Sequence, residues 1–295
     1  MELSIELART VLAVVDLGTF DAAARRLRVT PSAVSQRVRA LEHQLGQVLL
    51  VREKPVRPTP AGRTIVRLAR QLALLEQEAR AELGAGETGV AIVTVAVNAD
   101  SLATWLMPAL GPLFRTDDLV VQVHRDDQNR TAELLESGDV MAAVTARAAA
   151  VAGCVVRALG SMRYRAVATP AYVARHGGGP GIDWLRDAPL VQFDRHDDLQ
   201  HRYLRACGVD PDEPPRHVIP SSMEFAAAVH LGAGWGMLPD AQCDAALSDG
   251  RLVLIGGDPI EVELYWQQWS LRSSSLDRVA DAVETGARAA LRPAA

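Results

Sequence analysis

Apolar residues recur at a helical period through the first eighty positions and in short strand-like runs thereafter, and that change divides the chain. Leu7, Val11, Val14 and Val15 repeat at three- and four-residue intervals and predict a helix over 5–17. Two shorter helical segments follow and meet at Arg28-Val29-Thr30. In the first, Ala22, Ala23 and Ala24 keep the helix thin enough for close packing, with Leu27 turned inward. The second opens with Thr30 as N-cap and Pro31 at the first helical position, where a missing N–H costs nothing. Val34, Val38 and Leu41 form its buried stripe, and Leu45-Gly46 supplies a glycine suited to the C-cap. The apolar run 48–51 then leads into Arg52-Glu53-Lys54-Pro55-Val56-Arg57-Pro58, which reads as a small hairpin with cations at its tip. Its prolines confine it to an edge.

Thr59-Pro60 repeats the cap-and-proline pairing and opens a long helix to about residue 83, with Ile65, Leu68, Leu72, Leu75 and Ala79 every three or four positions. Such a helix spans roughly 37 Å, more than a small domain covers, so its stripe predicts contact with a second copy of the chain. Gly84-Ala85-Gly86-Glu87-Thr88-Gly89 reads as a hinge. From residue 90 the pattern predicts strands at 90–97, 120–123 and 141–145, with helices at 102–113 (interrupted near Pro108) and 131–137. Strands at 155–159 and 164–169 and a helix at 170–176 follow. Then come 190–193, 224–231 and 235–238 as further β-α-β material, late strands at 252–255 and 261–269, and a closing helix at 274–291. This alternation predicts an α/β domain with a mainly parallel sheet.

At 295 residues and 48% hydrophobic content, the chain can bury two or three cores. Its net charge of −5 argues against a nucleic-acid partner only until it is divided. Residues 1–60 carry nine Arg/Lys against six Asp/Glu, a balance of +3, and 61–83 add +1, leaving −9 on the remainder. Cys154, Cys207 and Cys243 are odd in number and match no zinc spacing, which predicts reduced, buried thiols. No run of about 18 apolar residues suggests a membrane span. With no secretory apolar region at the N-terminus either, a cytoplasmic protein is expected.

The second of the two short helices carries Ser32, Ser35, Gln36 and Arg39 away from its apolar stripe. A helix with that face, set against a partner across a tight turn, fits the major groove of duplex DNA. Gln36 can pair bidentately with adenine, Ser32 and Ser35 can bond either base, and Pro31 offers apolar contact to a thymine methyl. Arg39, Arg52 and Lys54 suit phosphates, which add affinity and salt dependence without sequence choice.

The first eighty residues resemble the DNA-binding domain of the LysR-type transcriptional regulators. The helix-turn-helix carries the likeness, with Leu45-Gly46, Leu49-Leu50-Val51-Arg52 and Thr59-Pro60-Ala61-Gly62. An aromatic common in that family at the Leu50 position is absent, and aliphatic packing is expected to serve. Residues 96–105 (AVNADSLATW), Val51-Arg52-Glu53-Lys54-Pro55 and Leu264-Tyr265-Trp266 are similar to its ArgP/LysG branch. The resemblance implies a winged helix-turn-helix over 1–58, a linker helix and hinge over 59–89, and an effector domain over 90–295. That domain would comprise two Rossmann-like subdomains of periplasmic-binding-protein type, about 90–162 with 266–295 and about 163–265, holding a ligand cleft between them. It further implies a homodimeric or homotetrameric activator of basic amino acid export or metabolism genes. Lysine or arginine would be its effector, and duplex DNA and RNA polymerase its partners.

Within the effector half, a strand ending at Asn98 and a helix beginning near Ser101 expose N–H groups and a helix dipole able to seat a carboxylate. Asp100, Asp127, Asp194 and Glu224 are candidate acids for an effector's cations, each also readable as a solvated acid or cap. Ser222, ahead of Glu224, offers a second helix start. Trp266 is read either as a wall of the site or as a core residue. Gly232-Ala233-Gly234-Trp235-Gly236 follows a helix and precedes a strand, the reverse of a dinucleotide loop, and 177–181 (GGGPG) reads as a flexible loop. His196 and His201 near Asp197 and Asp198 read as an exposed polar loop rather than a metal site. No cofactor, metal or catalytic constellation is expected. The rival expectations are a chromosome-binding architectural protein of weak sequence preference, a LysR-type regulator answering to another small effector, and an enzyme with a fused DNA-binding head.

Overall fold

The computed structural model describes residues 3–83, 90–126, 131–177 and 181–293, so the predicted hinge at 84–89 lies outside the described residues. The chain forms two compact units: Met1–Val97 with Pro112–Val156 and Trp266–Asp281, and Asn98–Gly111 with Arg157–Tyr265 and Ala282–Ala295.

The first unit opens with α1 (Ile5–Leu17), α2 (Phe20–Leu27) and α3 (Pro31–Leu45), then a hairpin of β1 (Leu50–Val51) and β2 (Arg57–Pro58), then α4 (Pro60–Glu82). Thr30 caps α3 as the sequence predicts, and Thr19 caps α2 in the same way without having been predicted. Thr19 Oγ1 accepts from Ala22 N and Thr30 Oγ1 from Ala33 N, each at 3.2 Å. Val34, Val38 and Leu41 are fully buried against Ala8, Val11, Val14, Ala23 and Ala24. Leu7, Val15 and Leu27 pack on that core partly buried. Leu50 is buried, so an aliphatic side chain does fill the position. The turn between α2 and α3 places Arg28 at φ 57°, a left-handed conformation that side chains adopt at a cost. The inward face of α4 differs from the predicted stripe. Ile65, Val66, Ala69 and Leu74 are buried, Leu68 and Leu72 are half-buried, and Leu75 and Ala79 are exposed. The helix therefore packs one face on its own unit and leaves Leu75 and Ala79 of the predicted stripe exposed, with Leu68 and Leu72 half-buried.

Further along come β3 (Ala91–Val97) and a helical run of α5 (Ala99–Ser101), a π-helical segment Leu102–Leu106 and α6 (Met107–Leu110). Pro108 sits inside that run instead of ending it. It has no N–H to return to Thr104, and the widened π segment absorbs the misfit. Next are β4 (Leu119–Arg125), α7 (Thr131–Ser137), β5 (Ala142–Thr145) and β6 (Cys154–Ala168). After α8 (Pro170–His176) come β7 (Leu190–Gln192), α9 (Leu199–Ala206), β8 (Arg216–Val218), α10 (Ser222–His230), β9 (Gly236–Pro239) and α11 (Asp240–Ser248). The chain closes with β10 (Val253–Leu254), β11 (Ile260–Trp269) and α12 (Ser274–Ala290).

In the first unit β3 pairs parallel with β4 and β5, and Trp269 is buried with Ala96, Leu135, Val140 and Ala143. Arg70 of α4 reaches Asp16 at 2.5 Å, Asp139 at 2.7 Å and the Gly138 carbonyl at 2.6 Å. In the second unit β6 pairs antiparallel with β9 and β10, while β7 and β8 pair parallel. Pairing is therefore parallel among β3, β4 and β5 and antiparallel around β6, not parallel throughout. The two strands expected at 155–159 and 164–169 are one strand of 15 residues. Gly160, at φ 129°, carries the strand past the Arg292 carbonyl, which a β-carbon there would meet at 2.3 Å. Two helices had no forecast, α9 and α11: α9 is short and mostly polar, and the apolar residues of α11 gather on no one face. Gly232 to Gly236 makes the expected turn between α10 and β9. Gly178 to Pro180 of the predicted glycine loop lie outside the described residues.

Candidate functional site

The outward face of α3 presents Pro31, Ser32, Gln36 and Arg39 to solvent, with Ser35 half-buried beside them. Thr30 is exposed, and its Oγ1 caps the helix. The hairpin beside this face is fastened by side chains of the two flanking helices. Glu42 Oε1 accepts from Leu49 N at 2.9 Å and Leu50 N at 3.4 Å. Thr59 Oγ1 donates to the Val48 carbonyl at 2.7 Å and accepts from Gly62 N at 3.0 Å. Gly62 is required by closeness: a β-carbon would sit 2.0 Å from the Leu49 carbonyl oxygen. At the far end, Val56 N donates to the Gly18 carbonyl at 2.8 Å. Arg52 lies 3.9 Å from Glu42 and 5.6 Å from the centre of the Phe20 ring, so its guanidinium is held in place while half-exposed. Lys54 stands exposed at the tip. The arrangement offers duplex DNA a polar helix face for base edges and a pinned cationic wing for phosphate. Glu42 and Phe20 were not singled out from the sequence, since nothing local to them signals a wing.

A second cluster gathers at the start of α5. Asn98 and Ser101 are buried, and the Asn98 amide N and O and the Ser101 hydroxyl have no partner among the described residues. Burying such groups unpaired costs roughly 1–3 kcal/mol each. The first N–H groups of the helical run likewise have no preceding carbonyl to bond. Asp100 accepts from the Tyr164 hydroxyl at 2.7 Å and is also hydrogen-bonded by Ser222. Burial pushes the Asp100 carboxyl above the usual carboxylate range, against the opposing pull of these two donors. Ser222, itself buried, accepts from Gln242 Nε2 at 2.9 Å. Burial, aided by the nearby Asp100, also raises the Tyr164 phenol well above its ordinary value, so it stays a donor.

Asp197 belongs to the same cluster. Its carboxylate accepts from Leu199 N at 3.1 Å and Phe193 N at 3.2 Å, and burial pushes it up to about 6, with Asp100 and Asp194 adding to the rise. The remaining candidates divide. Asp194 spends Oδ1 on the turn, accepting from His196 N at 2.7 Å and Asp197 N at 3.0 Å. Glu224 is exposed and accepts from the Ser221 hydroxyl, a capping arrangement at the start of α10. Trp266 is completely buried in the first unit and donates to Gln268 Oε1 at 2.6 Å, which makes it a core tryptophan. Asp127 lies outside the described residues. Tyr164 and Asp197 were missed: Tyr164 reads as strand filler, and Asp197 was read with the histidines as an exposed loop. His201 is instead carried on α9, half-buried, with Nδ1 3.3 Å from the Asp197 carbonyl.

Among the described residues, Asp240, Cys243 and Asp244 bring three ligand atoms together. Arginines already compensate these acids: Asp240 pairs with Arg163 at 2.8 Å and Arg165 at 2.7 Å, and Asp244 pairs with Arg165. Of the cysteines, only Cys243 is buried, correcting the expectation for Cys154 and Cys207, which are half-buried. Burial pushes the Cys154 thiol up to about 11, the reverse of an activated thiolate. Among the described residues, no helix is long and apolar enough to cross a membrane.

Residues 5–63 match the family model described as bacterial regulatory helix-turn-helix protein, lysR family, and residues 89–288 match the LysR substrate binding domain. The chain is 44% identical to the HTH-type transcriptional regulator LysG of Mycobacterium bovis, over 93% of this chain and 90% of that protein. It is 40% identical to the lysine export transcriptional regulatory protein LysG of Corynebacterium glutamicum, over 96% and 98%. Among solved structures, ArgP from Mycobacterium tuberculosis superposes with a TM-score of 0.91 at 42% identity, covering 99% of this chain and 100% of that one. Full-length LysG from Corynebacterium glutamicum with bound effector Arg gives 0.86 at 38% identity, with the same coverage.

Proposed function

Because the chain belongs to the LysR family of bacterial helix-turn-helix regulators, we propose that it controls transcription from duplex DNA in response to arginine or lysine, acting on genes of basic amino acid export or metabolism. The observation that carries the effector reading is the buried, unpartnered pair Asn98 and Ser101 beside the uncompensated carboxyl of Asp100. An amino acid's α-carboxylate matches the donors: the Ser101 hydroxyl, the Asn98 amide and the free N–H groups at the helix start. Its cationic end matches the acid. Asp194 and Glu224 already serve a turn and a cap, so Asp100 is the acid assigned here. A charge-assisted hydrogen bond in such a place contributes about 1.5–3 kcal/mol.

On the DNA side, Ser32, Ser35, Gln36 and Pro31 read bases, while Arg39, Arg52 and Lys54 meet phosphates. The rest of the predicted α4 stripe, half-buried Leu68 and Leu72 with exposed Leu75 and Ala79, pairs with a second copy. A homodimer or homotetramer then sets two heads at half-site spacing, with RNA polymerase as the downstream partner. Calorimetric titration of the full-length chain with arginine, lysine and norleucine tests the effector reading. The basic amino acids bind more tightly than norleucine, and Ser101→Ala weakens arginine and lysine alike. Equal affinity for all three, or no binding, overturns it.

A further inference from the structure

Helix α4 is docked along the effector half of its own unit by a row of polar side chains. Arg67 Nη1 donates to the Ala152 carbonyl at 3.1 Å, and Gln77 Nε2 donates to the Val90 carbonyl at 2.9 Å. Glu78 Oε1 accepts from the Ser273 hydroxyl at 2.6 Å and from Ser275 N at 3.3 Å, at the start of α12. These contacts spread over roughly 16 Å of helix. Arg70 is the member that also reaches the reading head. Its side chain is 20% exposed; Nη1 donates to the Gly138 carbonyl and to Asp139, while Nη2 donates to Asp16 in the last turn of α1. Asp139 is held in turn by the Ser137 hydroxyl at 2.6 Å. The turn comes this close because a glycine stands there: at φ 77°, a β-carbon on Gly138 would lie 2.7 Å from Arg67 Cα.

One guanidinium thus ties three segments: α1, whose Ala8, Val11 and Val14 share a core with Val34 and Val38 of α3; α4 itself; and the turn between α7 and β5. That turn is one ladder away from the effector seat. β5 starts at Ala142, just past Asp139, and pairs with β3, with Val95 opposite Ala142 and Ala96 opposite Ala143. Met141 N adds a bond to the Thr94 carbonyl at 2.9 Å. β3 ends at Val97, next in the chain to Asn98. Strands bonded in register move together, so a displacement at the end of β3 carries the Gly138-Asp139 turn with it. We propose that Arg70 is a positioning residue for regulation: without contacting DNA or effector, it passes the effector's displacement of this turn to the α1 side of the reading head. The inference rests on the effector reading above and adds the residue that couples it to DNA. A guanidinium suits the role because its planar fork holds several acceptors in fixed directions, whereas an ammonium is a single point of charge. Its low exposure also shields it from screening by salt.

The test uses the full-length chain, L-arginine and a duplex selected by that chain from random sequences. DNA affinity and hydroxyl-radical footprint are measured with and without arginine, and calorimetry gives the arginine affinity without DNA. Coupling is the factor by which arginine changes DNA affinity, and by linkage DNA changes arginine affinity by the same factor. The unaltered chain is expected to show a coupling of at least about fivefold, or an arginine-dependent footprint. In Arg70→Ala the coupling falls below about twofold and the footprint stops responding, while arginine affinity alone and DNA affinity alone stay within about threefold. Arg70→Lys is intermediate. Gly138→Ala pushes the turn off α4 from the effector side and reproduces Arg70→Ala with Arg70 still in place. A merely structural role lowers stability and both affinities together. That result, or unchanged coupling in both variants, overturns the proposal, as does an unaltered chain that binds arginine while its DNA affinity and footprint ignore it. No arginine binding to the unaltered chain overturns the effector reading itself, and this inference with it.

Discussion

Glu42 is the residue on which the placement of the wing turns. Its side chain is only 15% exposed, and Oε1 takes the N–H groups of Leu49 and Leu50, both buried residues at the root of the hairpin. A charge-assisted bond at 2.9 Å contributes about 1.5–3 kcal/mol, and the longer one at 3.4 Å less than about 1 kcal/mol. Glu42→Ala removes both acceptors and the partner of Arg52. The expected loss is about 2–3 kcal/mol of local stability in residues 48–58. Glu42→Gln keeps a neutral acceptor and loses about 1 kcal/mol. A change of 2 kcal/mol raises a local opening equilibrium about thirtyfold. Hydrogen exchange of the full-length chain reads this directly, as faster exchange at Leu49 and Leu50 in Glu42→Ala and an intermediate rate in Glu42→Gln. The same variants bind DNA more weakly at every sequence, because Arg52 and Lys54 lose their fixed approach to phosphate. Unchanged protection at Leu49 in Glu42→Ala would refute the reasoning, since the buried N–H would then have another acceptor.

Gln36→Ala weakens binding to the specific operator by about 1–3 kcal/mol and relaxes base preference, whereas Lys54→Ala weakens all duplexes and lowers the salt slope by about one. Titrations at several salt concentrations separate the two, and an operator affinity indifferent to Gln36→Ala would remove α3 from the groove. Arg28→Gly relieves the left-handed φ of 57° at an exposed position and, after the extra chain entropy of glycine, stabilises the head by about 0.5–1 kcal/mol. Scanning calorimetry measures this, and a lower transition temperature counts against strain there. Leu72→Glu with Leu75→Glu on the predicted stripe of α4 reduces the oligomer mass in sedimentation. An unaltered chain that sediments as a monomer at micromolar concentration defeats that assignment.

Local chemistry determined the reading head. Thr30-Pro31, Leu45-Gly46 and Thr59-Pro60 mark helix ends through capping and backbone restriction, which act within three or four residues and so are written in consecutive letters. The stripe Val34, Val38 and Leu41 is likewise a property of one helix, and the structure buries those three in α3. Alternating apolar runs determined that the rest is α/β. Pairing direction was beyond them: a buried strand looks alike beside a parallel or an antiparallel neighbour.

What only the tertiary structure decided depends on residues far apart in the chain. Which side of α4 faces inward depends on what packs against it, so Val66, Ala69 and Leu74 are buried while in the more regular stripe Leu68 and Leu72 are only half-buried and Leu75 is exposed. Ser101 and Asp100 were legible as a strand-to-helix junction. Tyr164, Ser222 and Asp197 join them only because folding brings back residues 64, 122 and 97 positions along the chain from Asp100. The upward shift of both carboxyls follows from that assembly. An aspartate in the sequence carries an ordinary carboxyl, and burial beside a second acid is a property of the folded site alone.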